Sequence, residues 1–157
     1  MDITVRDATL DDVGVLIELY TLLEAELTAL RPTWRLADGL AHPVDQAIAD
    51  MVGDPEWTTY VGEIDGAALG FLFGRYEALL PQAHGSVVAS VRYIFTHPQG
   101  REVGVAEAMI DQYMTAARAD GVTRFDAHVS PGHRLSKNFF ESHGFKARSI
   151  VMHRSDE

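Results

Sequence analysis

Thr96-His97-Pro98-Gln99-Gly100-Arg101-Glu102-Val103-Gly104-Val105-Ala106 is the stretch on which the reading of this chain turns. It follows a strand-like run, Val87 to Phe95, and opens a helix-like run, Val105 to Ala119. Such a turn aims several unpaired backbone N–H groups and the positive end of a helix dipole at one place, where phosphate is held. Arg101 adds a charge at the same mouth, so the segment reads as a cradle for a phosphorylated ligand. An ordinary strand-to-helix turn gives the arginine and the tight glycine no reason to occur together. A dinucleotide fingerprint needs a third glycine and a carboxylate about 20 residues on. Only Gly100 and Gly104 are available, and no Gly-Lys-Ser/Thr exists for a Walker loop.

Periodicity extends outward from this turn. Ile3 to Arg6 is a short strand, and Thr9-Leu10-Asp11-Asp12 gives a capping-box start. Leu16, Tyr20, Leu23, Leu27 and Leu30 follow at steps of three and four, the stripe of a helix that Pro32 ends. Residues 31–42 read as a loop carrying Trp34, and Pro43 to Met51 as a second helix with proline in its first turn. Thr58 to Ile64 and Ala67 to Tyr76 are strands joined at Asp65-Gly66, a favoured hairpin pair. A loop with Pro81 and His84 leads into the long strand 86–96. After the helix from Val105, Gly121 stands as its C-cap. Arg124 to Val129 reads as a strand, Leu135 to His143 as a helix and Ser149 to His153 as a last strand. The order implies one α/β (α+β) domain over residues 1–157, a mixed sheet with helices packed on it.

Composition narrows the function classes. Thirteen basic against twenty-three acidic side chains give a formal net charge of −10, which disfavours a nucleic-acid partner and suits a cationic one such as an amine. There is no cysteine, which excludes disulfides, thiolate metal sites and a cysteine acyl-enzyme. None of the seven histidines falls in a His-Glu-x-x-His pattern, so no metal site is expected. The N-terminus lacks the basic and apolar regions of a signal peptide, and no apolar run approaches the ~18 residues of a membrane span. A cytoplasmic location away from the membrane is the expectation.

Arg101, Gly104 and Ala106 fill the core Gln/Arg-x-x-Gly-x-Gly/Ala, and this segment resembles the acetyl-CoA signature of the GNAT N-acetyltransferase superfamily. Downstream, His133-Arg134-Leu135-Ser136-Lys137-Asn138-Phe139-Phe140-Glu141-Ser142-His143-Gly144-Phe145 is similar to the family's other block, commonly Asn-x-x-Ala-x-x-Leu-Tyr-x-x-x-Gly-Phe. The resemblance implies a mostly antiparallel central sheet, with parallel strands 4 and 5 splayed apart and helices on both faces. It implies acetyl-CoA as cofactor, its pyrophosphate on the N–H groups of Arg101, Glu102, Val103, Gly104, Val105 and Ala106. Phe95, Thr96 and His97 would meet the pantetheine. His133, Lys137 and Phe140 would border the cofactor from the second block. A homodimer is among the assemblies the resemblance implies.

The implied activity is direct transfer of acetyl from the thioester to a primary amine of a small molecule or peptide. Here the chain departs from the family pattern. The strand position that often carries a carboxylate base holds Arg92 and Tyr93, and Phe140 stands where many relatives have a tyrosine donor. Substitute catalytic candidates are His128, Tyr93 and Glu77, with His128 first because it lies on the partner strand at the splay. The acceptor pocket implied by the family falls on Trp34, Tyr76, Glu77 and His84. A catalytically silent acyl-CoA-binding or sensor module is the alternative.

Overall fold

The computed structural model describes residues 1–157. Five strands form one sheet in the order β1 (Ile3–Asp7), β2 (Trp57–Ile64), β3 (Ala67–Ala78), β4 (Val87–Thr96) and β5 (Phe125–Ala127). The first four are antiparallel neighbours, and β4 and β5 run parallel. The β2–β3 hairpin closes at Asp65-Gly66, both with positive φ (49° and 82°), the turn that matches strand twist.

Helices cover both faces because strand side chains alternate. One face carries α1 (Val13–Leu30), the single turn α2 (Trp34–Ala37) and α3 (Val44–Gly53), whose Leu16, Tyr20, Leu23, Leu27 and Ile48 pack on Val61, Phe71, Phe73 and Phe95. The other face carries α4 (Val105–Ala119) and α5 (Arg134–Ser142). There Val105, Met109, Ile110, Tyr113 and Phe140 pack on Tyr60, Leu72, Ala89 and Val91. At the end of α4, Gly121 takes φ 83° and Val122 N–H donates to Ala117 O at 2.9 Å, closing the helix as expected.

The capping box forms, and it is doubled by an ion pair. The Asp12 carboxylate accepts from Thr9 N–H at 2.7 Å and from two Arg6 nitrogens at 2.8 Å each. The Arg6 hydrogen bond is the main reason the Asp12 pKa falls to about 2, against a smaller upward push from burial.

Three expectations need correction. The loop 31–42 contains α2, because Trp34 buries its ring beside Tyr20 (centroids 6.3 Å apart) and draws the chain into a turn. The strand expected over 124–129 is only Phe125–Ala127. The strand expected over Ser149–His153 does not form. So short a β5 offers few backbone partners, and Ile150, Val151 and Met152 lie 73–87% exposed. Just before this tail, Arg148 still reaches back to Asp126, Nε to Oδ1 at 2.8 Å. No helix is long and apolar enough to cross a membrane.

Candidate functional site

β4 carries an extra residue. Its register with β3 pairs Tyr93 with Phe73 and Val91 with Gly74, so Arg92 bulges between them. The bulge reverses which backbone groups face which neighbour. Before it, Ala89 N–H donates to Arg124 O at 2.9 Å and Val91 O accepts from His128 N–H at 3.1 Å, both toward β5. Beyond it, His97 N–H donates to Leu69 O at 2.7 Å, toward β3. By alternation, the N–H and C=O groups of Ile94 and Thr96 then point away from β3. No β5 residue meets them, because the β4–β5 register ends at Val91 and Ala127. The two parallel strands part at that point.

The split opens into a cleft of about 350 Å³. Its walls come from Ile94, Phe95 and Thr96 on β4, from the loop Gly100–Ala106, and from His133, Ser136, Phe139 and Phe140 around α5. Leu23 and Glu26 of α1 border it on the opposite sheet face. The Thr96 hydroxyl oxygen is buried there without a hydrogen-bond partner. An orphaned polar atom of this kind is costly unless something meets it.

The loop between β4 and α4 is tightly turned. Pro98–Gly100 form one tight turn, capped by His97 Nδ1 accepting from Gln99 N–H at 3.1 Å. Glu102 and Gly104 then take positive φ (66° and 101°), and α4 starts at Val105 with no side-chain cap. The first N–H groups of α4 have no acceptor within the helix. A side chain on Gly104 would find room, its Cβ 3.6 Å from Ile3 Cδ1; the backbone angle is what asks for glycine.

Arg101 behaves differently from expectation. Its guanidinium turns inward and does not stand free at the mouth. It pairs with Glu26 at 2.8 Å, donates from Nε to Thr96 O at 3.0 Å, and lies over the Phe95 ring 5.4 Å from its centroid. His133 caps α5, its Nδ1 accepting from Ser136 N–H at 3.2 Å, and its Nε2 lies 3.0 Å from Glu26. Lys137 does not line the cleft; it pairs with Glu141 at 2.8 Å on the exposed side of α5. Phe140 is 3% exposed and packs edge-on against Phe139 and Phe145, so its ring closes the cleft floor as core.

The three catalytic candidates lie on one sheet face. Phe125, Ala127 and Val129 pack toward α4 and α5, so Asp126 and His128 project to the α1 side. Glu77 and Tyr93 share that side: Glu77 pairs with Arg92 at 3.5 Å, and Tyr93 packs against Phe73 and Tyr20. Burial pushes the His128 pKa down, and the Arg92 charge adds to the fall against Glu77 and Asp126. Tyr93 is raised chiefly by burial, and its hydroxyl donates to Asp38 O at 3.0 Å.

The four acceptor candidates are not brought together. Trp34 is core. Tyr76 points to the opposite face, its hydroxyl donating to Asp120 at 2.7 Å. His84 sits exposed in the β3–β4 loop with φ 54°, and only Glu77 reaches the charged cluster. Sequence reasoning missed Glu26. Its one signal was a carboxylate flanking the α1 stripe, between Leu23 and Leu30; its partners lie 75 and 107 positions away.

The family model for the acetyltransferase (GNAT) family matches residues 17–145. Solved structures share the fold at low identity. A transcriptional regulator from Bacillus halodurans C-125 superposes with TM-score 0.78 at 19% identity, covering 98% of this chain and 99% of its own. A ribosomal-protein-alanine N-acetyltransferase from Brucella melitensis biovar Abortus 2308 gives 0.70 at 19%, covering 98% and 100%. The aminoglycoside 6'-N-acetyltransferase AAC(6')-Ih from Acinetobacter baumannii gives 0.74 at 15%, covering 99% of each. Among curated proteins, none matches the chain at a significant level.

Proposed function

The chain belongs to the GNAT acetyltransferase family, and from that premise we propose that it is an acetyl-CoA-dependent N-acetyltransferase acting on a primary amine of a small molecule or peptide. The observation that carries this reading is the free edge of β4. Ile94 and the Thr96 N–H face a cleft that no strand fills and that runs on to the uncapped start of α4, while the Thr96 carbonyl accepts from Arg101 Nε. An elongated ligand with amides along its length and a phosphorylated end matches that sequence of partners. The buried Thr96 hydroxyl adds one more polar contact. Bound there, acetyl-CoA supplies an activated acyl group as a thioester.

The protein's own residues then have two tasks. The first is to hold the cofactor by backbone, with Gly104 letting the N–H groups of residues 102–106 close on the anion. The second is to accept a proton from an amine whose pKa of ~10.4 keeps it charged at neutral pH. His128 suits that task. Its lowered pKa keeps it a free base at pH 7, and it stands where β4 and β5 part. Glu77 and Asp126 lie on the same face, each paired with an arginine, Arg92 and Arg148.

One observation favours a second reading, a silent acyl-CoA-binding module: neither Phe140 nor Tyr93 offers a free proton to the departing thiolate. A thiol of pKa ~8.5 needs little help to leave at pH 7, which keeps the transferase reading first. A panel of polyamines, amino acids and peptides with acetyl-CoA, read as thiol release, decides between them. Turnover with any acceptor supports the transferase. Binding of CoA without turnover across the panel overturns it in favour of the module.

A further inference from the structure

Glu26 sends its two carboxylate oxygens to opposite walls of the cleft. Oε1 accepts from Arg101 Nη2 at 2.8 Å, on the β4 side, and Oε2 meets His133 Nε2 at 3.0 Å, on the α5 side. Between these walls there is no ladder, since strand pairing stops at Val91. We propose that Glu26 is a positioning residue for the cofactor site, a tie that sets the width of the split between β4 and α5. The inference rests on the reading of the cleft as a CoA site.

Each arm of the tie is anchored to backbone. Arg101 is fixed to β4 through Nε to Thr96 O at 3.0 Å, and its guanidinium is held over Phe95. His133 is fixed to the first turn of α5 through Nδ1, which accepts Ser136 N–H at 3.2 Å. That bond requires Nδ1 to be without a proton, so the ring proton sits on Nε2 and is donated to Glu26. A shift of the carboxylate therefore moves both the end of β4 and the start of the helix that carries Phe139 and Phe140. The arrangement is also sheltered: the side chains of His133, Arg101 and Glu26 are 11%, 27% and 30% exposed. Burial raises the Glu26 pKa, and hydrogen bonds from His133 and Arg101 more than reverse this, so the carboxylate is ionised at neutral pH.

A second consequence concerns charge. With Arg101 neutralised by Glu26, a diphosphate is left to the backbone N–H groups of residues 102–106. The arginine serves to shape the loop that presents them.

The test is calorimetry with CoA on wild type, Glu26→Ala and Glu26→Gln, with ligand-free melting curves and steady-state kinetics for each. Loss of a charged hydrogen-bonded tie predicts CoA affinity at least about tenfold weaker in the alanine variant. The glutamine variant falls between, because it can accept from Arg101 but presents an N–H group to the His133 proton. The KM for acetyl-CoA follows the binding constant, while kcat at saturation stays near wild type. Wild-type or tighter binding in both variants overturns the proposal, as does an equal fall in kcat and kcat/KM. If the alanine variant melts out, the glutamine variant decides alone. If wild type itself binds no CoA, the reading of the cleft fails and this inference falls with it.

Discussion

Gly62 on β2 and Val105 at the start of α4 are in contact so close that a Cβ on the glycine would stand 2.7 Å from Val105 Cγ1. The sheet surface has been cut down to let the helix N-terminus settle onto it, with Gly70 serving the same purpose one strand over. The height of the cradle above β4 is therefore set from beneath.

Gly62→Ala is expected to lift the first turn of α4. Overpacking of this kind costs about 1–3 kcal/mol, read by denaturant unfolding. CoA affinity is expected to fall as well, since the N–H groups of residues 102–106 move with the helix. An alanine variant with unchanged stability and affinity would show that Val105 and Met109 simply step aside.

Gly104→Asp is expected to abolish CoA binding in calorimetry while the chain stays folded. Space is available above the glycine, so the damage comes from φ 101° and from a negative charge beside the anion. Wild-type affinity in that variant would remove the pyrophosphate assignment.

His128 sets a pH dependence. Its pKa lies below the ordinary imidazole value of about 6.5, so the base form prevails at neutral pH and kcat/KM should fall only on acidification below that value. In His128→Asn the acidic limb should vanish and the plateau should drop about a hundredfold or more. An unchanged limb in the variant would move the base to Glu77, testable next with Glu77→Gln.

Asp12 sets an acid-stability limb. Its pKa in the folded state is lowered to about 2, so its contribution is full above the unfolded value near 4 and is lost as pH falls toward 2. Asp12→Asn should cost about 1–2 kcal/mol at neutral pH, discounted because Arg6 is substantially exposed, and should flatten that limb. A variant whose stability parallels wild type from pH 7 to pH 2 would show the pair to be idle.

Local features were the most legible. The α1 stripe, the glycine cap of α4 and the Asp-Gly hairpin are short-range patterns, and the bounds of α4 were read to the residue. The strand-to-helix turn was legible for the same reason, because Gly104 and the change of element lie within a few positions. The direction of the Arg101 side chain was not, since it depends on Glu26, two helices and three strands away along the chain. Trp34 and Tyr76 looked alike in sequence as aromatic pocket candidates. Only the sheet's two faces, and the α2 turn, separate them. The absent C-terminal strand has the same origin: a short apolar run such as Ile150-Val151-Met152 marks what a segment could do, but pairing needs an edge long enough to receive it.

The parting of β4 and β5 also has a thermodynamic consequence. A ligand that hydrogen-bonds to Ile94 and Thr96 does for β4 what a neighbouring strand does elsewhere in the sheet, and only the folded chain can offer it that edge. Folding and occupancy are then linked by mass action. A ligand present at a hundred times its dissociation constant would add about 2.7 kcal/mol to the folded state. For a small domain that is a substantial share of the total, so with such a ligand the melting temperature would become a gauge of how much of it surrounds the protein.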